Sequence, residues 1–266
     1  MGTPCEVAAA VAATGPAATE AGGASVLGSI HSWDLSTGVD GPGTRFVVFT
    51  QGCPLRCLYC HNPETWHMRD GQRVAADELV ARAATYTGFI RTAGGGATVS
   101  GGEPLLQPRF VTALLRGFKN LGLNTALDTS GYLGARADTE LLAATDLVLL
   151  DIKSWDRALY QRLTSVDLHP TLEFARHLAE LAIPVHVRFV LVPGLTDTDA
   201  NVTGVARFAA SLGNVERVDV LPFHKLGAAK YARLGIPFAL ADTPTPTPEQ
   251  TRAARERFTA EGLTTF

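Results

Sequence analysis

Three of the four cysteines in this 266-residue chain lie close together, as Cys53, Cys57 and Cys60. Their C-x3-C-x2-C spacing places three thiolates in one tight loop, where they can hold three irons of a [4Fe-4S] cluster. A cluster normally takes four protein sulfurs, so this set leaves one iron without a protein ligand. An open coordination position is typical of a catalytic metal site rather than a structural one.

Zinc and redox or structural thiols remain open as alternatives at this point. A zinc site would need a second cysteine pair or a histidine pair at a usable spacing, and the chain has none. His61 follows Cys60 directly, which is poor geometry for binding the same ion. A disulfide with one free thiol suits a secreted protein better than this chain. The fourth cysteine, Cys5, is far from the others, and we expect it to have no role in the cluster.

Short apolar runs alternate with amphipathic segments along the chain, which predicts an α/β fold with a parallel sheet covered by helices. Six strand–helix units rather than eight predict a partial TIM barrel that is open on one side, which suits a macromolecular substrate. The predicted strands are 45–50, 97–100, 124–127, 146–150, 185–192 and 215–221. The predicted helices are 74–86, 110–121, 139–144, 171–182, 198–212 and 249–261.

Polar or glycine-rich residues follow five of these six predicted strands. The cysteine loop follows the first strand, and a Gly-Gly-Glu turn ending at Glu103 follows the second. Asp128, Asp151 and His224 follow the third, fourth and sixth strands. Because active sites in parallel βα folds lie at the carboxyl ends of the strands, we expect these groups to converge at one mouth.

Each of these residues also has a simpler interpretation. The Gly-Gly-Glu stretch reads equally well as a β-turn, and a lone histidine such as His224 is more often structural. Asp128 and Asp151 are equally good helix N-caps or hard oxygen ligands for a cation. Lys153 alone could be a surface charge. Gly94–Gly96 favours a flexible linker over a support near the substrate.

The composition bounds the class of protein. A 46% hydrophobic chain of this length can bury one sizeable core, and a net charge of −3 gives no basic field for nucleic acid or an anionic membrane. No apolar run is long enough for a membrane span, and the Ala-rich start lacks the basic residues of a signal peptide. Thiols grouped for metal indicate a reducing, cytoplasmic location. We predict a disordered Ala/Gly-rich tail over residues 1–24 and a single domain over residues 25–266.

The chain resembles the radical S-adenosylmethionine (radical SAM) superfamily and, within it, the pyruvate formate-lyase activating enzyme family. The resemblance runs from about Gly28 to Phe266. It is carried by Asp40–Phe46, Gln51–Cys53, Cys57–Asn62, Gly94–Gly96, Ser100–Glu103, Leu127–Thr129, Leu149–Lys153, Thr171–Ala175, Val192–Gly194, Gly213–Glu216 and Leu221–His224.

This resemblance implies the (β/α)6 radical SAM fold and an oxidoreductase activity. A [4Fe-4S] cluster would reductively cleave S-adenosylmethionine, and the 5′-deoxyadenosyl radical would remove an α-hydrogen from a glycine of pyruvate formate-lyase. Such an enzyme works in anaerobic metabolism and takes its electron from a flavodoxin or ferredoxin. No acid–base pair is required, and none stands at a convincing spacing. We expect a monomer without nucleic-acid or membrane partners.

The resemblance also implies roles for individual residues. The cluster ligands are Cys53, Cys57 and Cys60. The cofactor contacts are Tyr59, Cys60, His61, Gly102, Asp128, Asp151, Ile152, Lys153 and His224. The two aspartates also fit a monovalent cation, Na⁺ or K⁺. Asp40, His61 and Arg188 are expected to bind the substrate protein. Arg188 lies in an apolar strand, where a buried arginine needs a partner.

Two other functions compete with this interpretation. The first is an activase for another glycyl radical enzyme; many of these relatives carry an inserted ferredoxin-like domain with further cysteines, which this chain lacks. The second is a non-catalytic iron–sulfur or zinc-binding module. Metal analysis separates zinc from iron, and cleavage of S-adenosylmethionine separates a catalyst from a binding module.

Overall fold

The computed structural model describes residues 25–266, so the predicted tail, residues 1–24 with Cys5, lies outside the described residues. The strands are β1 Leu27–Thr37, β2 Thr44–Thr50, β3 Gln72–Ala75, β4 Gly96–Gly101, β5 Asn124–Thr129, β6 Leu147–Asp151, β7 Val185–Leu191 and β8 Val215–Pro222. The α-helices are α1 Ala76–Ala84, α2 Thr87–Thr92, α3 Pro108–Asn120, α4 Thr139–Ala143, α5 Arg157–Thr164, α6 His169–Glu180, α7 Asp199–Leu212, α8 Ala228–Leu234 and α9 Pro248–Ala260.

All of these strands belong to one sheet, in the order β3-β1-β2-β4-β5-β6-β7-β8. The six strands from β2 to β8 that the apolar runs predict are parallel to their neighbours. They follow one another across the sheet in chain order, as βα units of a barrel do. The predicted α/β fold with an incomplete barrel is therefore confirmed.

Strands β1 and β3 are additions that the apolar pattern did not predict. β1 runs antiparallel to β2, with Asp34 opposite Val47, and β3 runs antiparallel to β1. The side chain of Trp33 stacks on Phe46 with ring centroids 5.2 Å apart, which ties β1 to the core. The predicted helix over 74–86 is wrong at its start, because Val74 is buried in β3 and α1 begins at Ala76.

Helix α3 shows how the outer face of the sheet is covered. Its buried side includes Phe110, Leu114 and Phe118, spaced as one stripe of an amphipathic helix. Phe118 meets Phe46 of β2 edge-on, with centroids 5.9 Å apart. Since side chains alternate along a strand, the neighbours of Phe46 in β2 face the opposite, inner side of the sheet.

The Gly94–Gly96 stretch is not a flexible linker. Gly96 begins β4, and a Cβ atom on it would lie 2.1 Å from the carbonyl oxygen of Asn124. A Cβ atom on Gly95 would lie 1.7 Å from the carbonyl oxygen of Thr44. Glycine is therefore required here for close backbone approach, and the linker interpretation is wrong. Within residues 25–266, every helix is too short or too polar to cross a membrane.

Candidate active site

A cavity of about 400 Å³ lies at the carboxyl ends of the parallel strands. It brings together groups from loops that are far apart in sequence, as the strand-end argument predicts. The predicted site residues that line it are Asp40, Cys53, Cys57, Tyr59, Cys60, His61, Gly102, Asp128, Asp151, Lys153, Arg188 and His224. Ile152 is the exception, because its side chain is fully buried in the main hydrophobic core.

The cysteine loop between β2 and β3 is held by backbone hydrogen bonds to distant segments. The N–H of Gly52 donates to the carbonyl oxygen of Thr65 at 2.7 Å. The N–H groups of Arg56 and Leu58 donate to carbonyl oxygens in the last turn of α5 at 2.8 and 2.9 Å. The Arg56 guanidinium donates to the carbonyl oxygen of Cys53 at 2.7 Å. The polypeptide alone therefore fixes the path of the loop.

The three thiols are free and partly buried, and they line one side of the cavity. Burial raises the pKa of Cys57 to about 12, although the ammonium of Lys153 opposes this rise. Burial likewise raises the pKa of Cys53 and Cys60. The raised pKa values favour neutral thiols, so a metal that binds these groups as thiolates would displace their protons.

The donor set fits an iron–sulfur cluster with one open iron. Within the described part of the chain, no three His, Cys, Asp or Glu side chains are gathered closely enough to hold a single metal ion. A cluster of several irons is larger than one ion, so its ligands stand further apart. Three unpaired thiols around the wall of one cavity meet that requirement.

Two ion pairs lie on the cavity wall and join residues of β5, β7 and the end of β6. Arg188 donates to Oδ2 of Asp128 at 3.0 Å, and the hydroxyl of Ser100 donates to the same oxygen at 2.7 Å. Lys153 donates to Oδ2 of Asp151 at 2.7 Å. Each aspartate that the sequence predicts as a cation ligand thus already has a side-chain cation beside it.

Charge and burial act in opposite directions on these four groups. Burial raises the pKa of Asp128 and outweighs the opposing charge of Arg188. Burial also acts to raise the pKa of Asp151, but Lys153 and Arg188 outweigh it and lower that pKa. For Lys153, burial alone would lower the pKa, and the charge of Asp151 raises it well above its ordinary value.

Glu103 lines the cavity, as expected for a residue that follows a predicted strand, but the sequence analysis assigned it no role of its own. It is 1% exposed, and its carboxylate accepts hydrogen bonds from Thr129 Oγ1 at 2.6 Å and from the N–H of Ser130 and Leu105 at 3.0 and 3.1 Å. Burial nevertheless raises the pKa of Glu103. The position of the Gly-Gly-Glu turn after a predicted strand indicated a site, but composition alone does not show that the glutamate side chain points into the protein.

Gly102 lies where the loops after β2 and β4 meet. A Cβ atom at this position would be 2.3 Å from the carbonyl oxygen of Gly52, next to the first cysteine. The N–H of Glu103 donates to that same oxygen at 2.9 Å. Only glycine permits this close approach, so Gly102 couples the glycine-rich turn to the cysteine loop.

Aromatic and imidazole rings line another part of the cavity. The rings of His61 and His224 stack with centroids 4.2 Å apart. Burial and the neighbouring His224 lower the pKa of His61, which favours its neutral form. The Lys153 ammonium lies 5.8 Å from the ring centre of Tyr59. Flat rings of this kind provide stacking surfaces for a planar ligand.

Comparisons with known proteins decide the family. Residues 47–203 match the Radical SAM superfamily. The chain is 44% identical over 219 residues to the Pyruvate formate-lyase 1-activating enzyme of Escherichia coli (strain K12), which covers 81% of this chain and 89% of that relative. The chain belongs to the pyruvate formate-lyase activating enzyme family of the radical SAM superfamily. A Staphylococcus aureus (strain USA300) relative, Pyruvate formate-lyase-activating enzyme, is 44% identical over 236 residues, 85% of this chain and 93% of its own length.

Solved structures agree with this radical SAM assignment. A domain of pyruvate-formate lyase-activating enzyme from Bacteroides vulgatus superposes with a TM-score of 0.55 at 28% identity, covering 65% of this chain and 98% of that one. A radical SAM methyltransferase from Sphaerobacter thermophilus reaches a TM-score of 0.62 at 19% identity, covering 87% of this chain and 67% of that one. The second likeness shows the fold alone.

Membership in the radical SAM superfamily means that this enzyme uses a [4Fe-4S] cluster and S-adenosylmethionine. The three thiols of the cavity suit that cluster, because they supply three sulfurs and leave one iron open. The family therefore decides between iron and zinc, which the cysteine spacing alone left open.

Proposed function

We propose that this enzyme activates pyruvate formate-lyase by generating a glycyl radical on it. The observation that carries the proposal is the single cavity in which the three thiols, both ion pairs and the glycine-rich turn meet. The high identity to activating enzymes over most of their length supports the choice of substrate protein. Glycine suits the reaction because no side chain shields its α-carbon.

Cys53, Cys57 and Cys60 would hold three irons of the cluster, which leaves the fourth iron without a protein ligand. When bound there, the reduced cluster and S-adenosylmethionine supply the 5′-deoxyadenosyl radical chemistry that removes a glycine α-hydrogen. The protein's task is to orient the reacting groups and to exclude water, which the burial of the thiols serves. No proton transfer by a side chain is required.

The remaining cavity residues would bind the two substrates. We assign the backbone at Gly102 and the aspartates to the amino group of S-adenosylmethionine, and Lys153 to its negatively charged carboxylate. Tyr59, His61 and His224 would contact the adenosine, with Cys60 and Ile152 contributing through the adjacent backbone. Asp40, Arg188 and His61 would contact the glycine-bearing segment of the substrate protein.

A monovalent cation, Na⁺ or K⁺, is proposed beside Asp128 and Asp151. Both ion pairs use the Oδ2 atoms, and neither Oδ1 atom accepts a hydrogen bond from the described residues. The two free carboxylate oxygens are hard ligands of the kind that such a cation prefers. Arg188 and Lys153 offset part of the charge, so we expect weak binding.

The electron is proposed to come from a flavodoxin or ferredoxin. Residues 25–266 contain only the three cysteines of the loop, so this part of the chain has no second cluster site to relay an electron. We also propose that the enzyme is cytoplasmic, because thiols grouped for metal suit a reducing compartment, and that it acts as a monomer, because the three cluster thiols come from one loop.

An anaerobic assay tests the proposed function. The protein is reconstituted with iron and sulfide, reduced, and mixed with S-adenosylmethionine with and without pyruvate formate-lyase. We expect 5′-deoxyadenosine and a glycyl radical signal by electron paramagnetic resonance that depends on the substrate protein. Cleavage of S-adenosylmethionine without the glycyl radical signal would indicate that the substrate protein is a different glycyl radical enzyme. No cleavage by a fully loaded protein would leave only a binding module.

A further inference from the structure

Arg45 is a fully buried cation without a carboxylate partner. Its side chain is 1% exposed, and within residues 25–266 it forms no salt bridge. Neutral oxygens bind it instead: Nη1 donates to Asn124 Oδ1 at 3.0 Å, and Nη2 donates to the carbonyl oxygens of Ala97 at 2.6 Å and Asn124 at 3.2 Å. A buried arginine held by so many fixed acceptors is a rigid anchor inside the barrel.

The remaining hydrogen bond of Arg45 connects it to Thr98 of β4. Nε donates to the Thr98 hydroxyl oxygen at 2.7 Å, and this hydroxyl lies 2.7 Å from the backbone carbonyl oxygen of Asp40. An arginine can only donate, so the Thr98 oxygen must accept and its one proton must go to Asp40. The guanidinium thereby polarises the hydroxyl that it binds.

This relay reaches the loop Asp40–Gly43, which precedes β2. Gly41 has φ of +118° and Gly43 has φ of +67°, so the loop has a path that glycine permits. A Cβ atom on Gly41 would lie 2.9 Å from Cδ of Arg45, which shows that the loop lies directly on the arginine side chain. The Asp40 end of the loop lines the cavity.

We propose that Arg45 and Thr98 are positioning residues that fix the Asp40–Gly43 loop in the conformation that receives the glycine-bearing segment of the substrate protein. This inference rests on the proposed function. Neither residue lines the cavity, so both act through the loop. The Thr98 hydroxyl is the only side-chain group described that binds the Asp40 carbonyl, and its loss frees the cavity end of the loop.

Thr98→Val tests the relay, because valine keeps the shape of threonine and removes its hydroxyl. Thr98→Ser restores the hydroxyl. Thr145→Val is the matched control: Thr145 is buried, and its hydroxyl donates to the carbonyl oxygen of Leu141 in α4 at 2.9 Å and not to the loop. Each variant is reconstituted with its cluster and assayed at a temperature where all are folded.

Two readouts are compared across these variants. For Thr98→Val we expect KM for the substrate protein to rise about tenfold while KM for S-adenosylmethionine stays unchanged. We expect amide hydrogens of residues 38–44 to exchange faster, measured by mass spectrometry without any substrate. Thr98→Ser and Thr145→Val should match the wild type in both readouts.

The proposal fails if Thr98→Val keeps the wild-type KM for the substrate protein, or if Thr145→Val raises that KM equally. It also fails if residues 38–44 exchange at the wild-type rate in Thr98→Val. If the wild type forms no glycyl radical, the proposed function fails, and the exchange result alone then decides whether Thr98 holds the loop.

Discussion

The cysteine thiols carry the most specific chemistry of the chain, and their burial makes them depend on metal. Cys57 is partly buried, and this burial raises the pKa of its thiol to about 12. If these thiols bind the cluster as proposed, iron would have to compensate for the cost of forming thiolates.

Replacing Cys57 with serine should abolish cluster assembly. With two sulfurs left, we expect the variant to bind far less than about four irons per chain after anaerobic reconstitution. Iron and sulfide analysis measures this directly. Cys5→Ser is the matched control and should keep full iron content. A Cys57→Ser variant that keeps full iron and cleaves S-adenosylmethionine would contradict the assignment.

Replacing Arg188 with methionine should destabilise the fold strongly. The change leaves Asp128 buried without its cation, which typically costs about 3–5 kcal/mol. Urea unfolding measures the loss, and the double variant Arg188→Met, Asp128→Asn should recover much of it. Arg157→Met removes an exposed ion pair with Asp167 and should leave the urea midpoint almost unchanged. Equal midpoints for Arg188→Met and Arg157→Met would overturn this view of the buried pair.

His186 should make stability fall in mild acid. Burial and the nearby Arg217 lower the pKa of His186 below 6.5, although Glu216 opposes this at 3.2 Å. Below pH 6.5 the folded state therefore binds fewer protons than the unfolded state. The contribution of neutral His186 to the free energy of unfolding is fully present above pH 6.5 and is lost as pH falls through the pKa of the folded state. Urea midpoints from pH 7.5 to 5 should fall more in the wild type than in His186→Gln. Parallel profiles would show that His186 does not titrate as described.

The cysteine spacing and the strand ends marked several site residues in the sequence. Asp128, Asp151 and Lys153 follow apolar strands, so the sequence places them at the mouth, and the cavity contains all three. The side-chain partners of these residues were not predictable, because the ion pair between Arg188 and Asp128 depends on the order and register of the strands. The hydrogen bonds of Glu103 were not predictable for the same reason, because Thr129 and Ser130 lie at the end of a different strand, β5.

At the scale of the elements, the contact between the loops after β2 and β4 is a close constraint on the site. Gly102→Ala would place a methyl group 2.3 Å from the carbonyl oxygen of Gly52. We expect this variant to lose S-adenosylmethionine binding, because the two loops must separate. Equilibrium dialysis or calorimetry on the reconstituted protein measures the affinity.

Gly88→Ala is the control for that substitution. Gly88 lies in α2 with open space around its Cα, so alanine there should stabilise the protein by up to about 1 kcal/mol and leave cofactor affinity unchanged. Wild-type affinity in Gly102→Ala would show that the loops do not need their close approach.

The strands that stood out in the sequence share one property. β2 and β6, for example, are buried on both faces, so they appear in the sequence as continuous apolar runs. β1 has a mixed burial pattern and β3 has only four residues, so neither stands out from loops. The short helices α2, α5 and α8 were missed because they contain few turns of apolar periodicity.

At the scale of the whole molecule, the incomplete barrel explains how a small domain can act on a large protein. The cavity gathers loops from nearly all parallel strands, while the sheet closes only part of a barrel. A glycine on a protein loop can therefore reach the reacting groups from the open side. Fold and cofactor class follow from the sequence and the family, whereas the substrate contacts depend on side-chain geometry.

Hydrogen transfer from the substrate protein tests the central claim most directly. Pyruvate formate-lyase labelled with α-deuterated glycine is mixed with the reduced, reconstituted enzyme and S-adenosylmethionine, and the 5′-deoxyadenosine is analysed by mass spectrometry. The account predicts one deuterium atom in the product, appearing together with the glycyl radical signal. Unlabelled 5′-deoxyadenosine accompanying a full glycyl radical signal would contradict direct abstraction in this cavity.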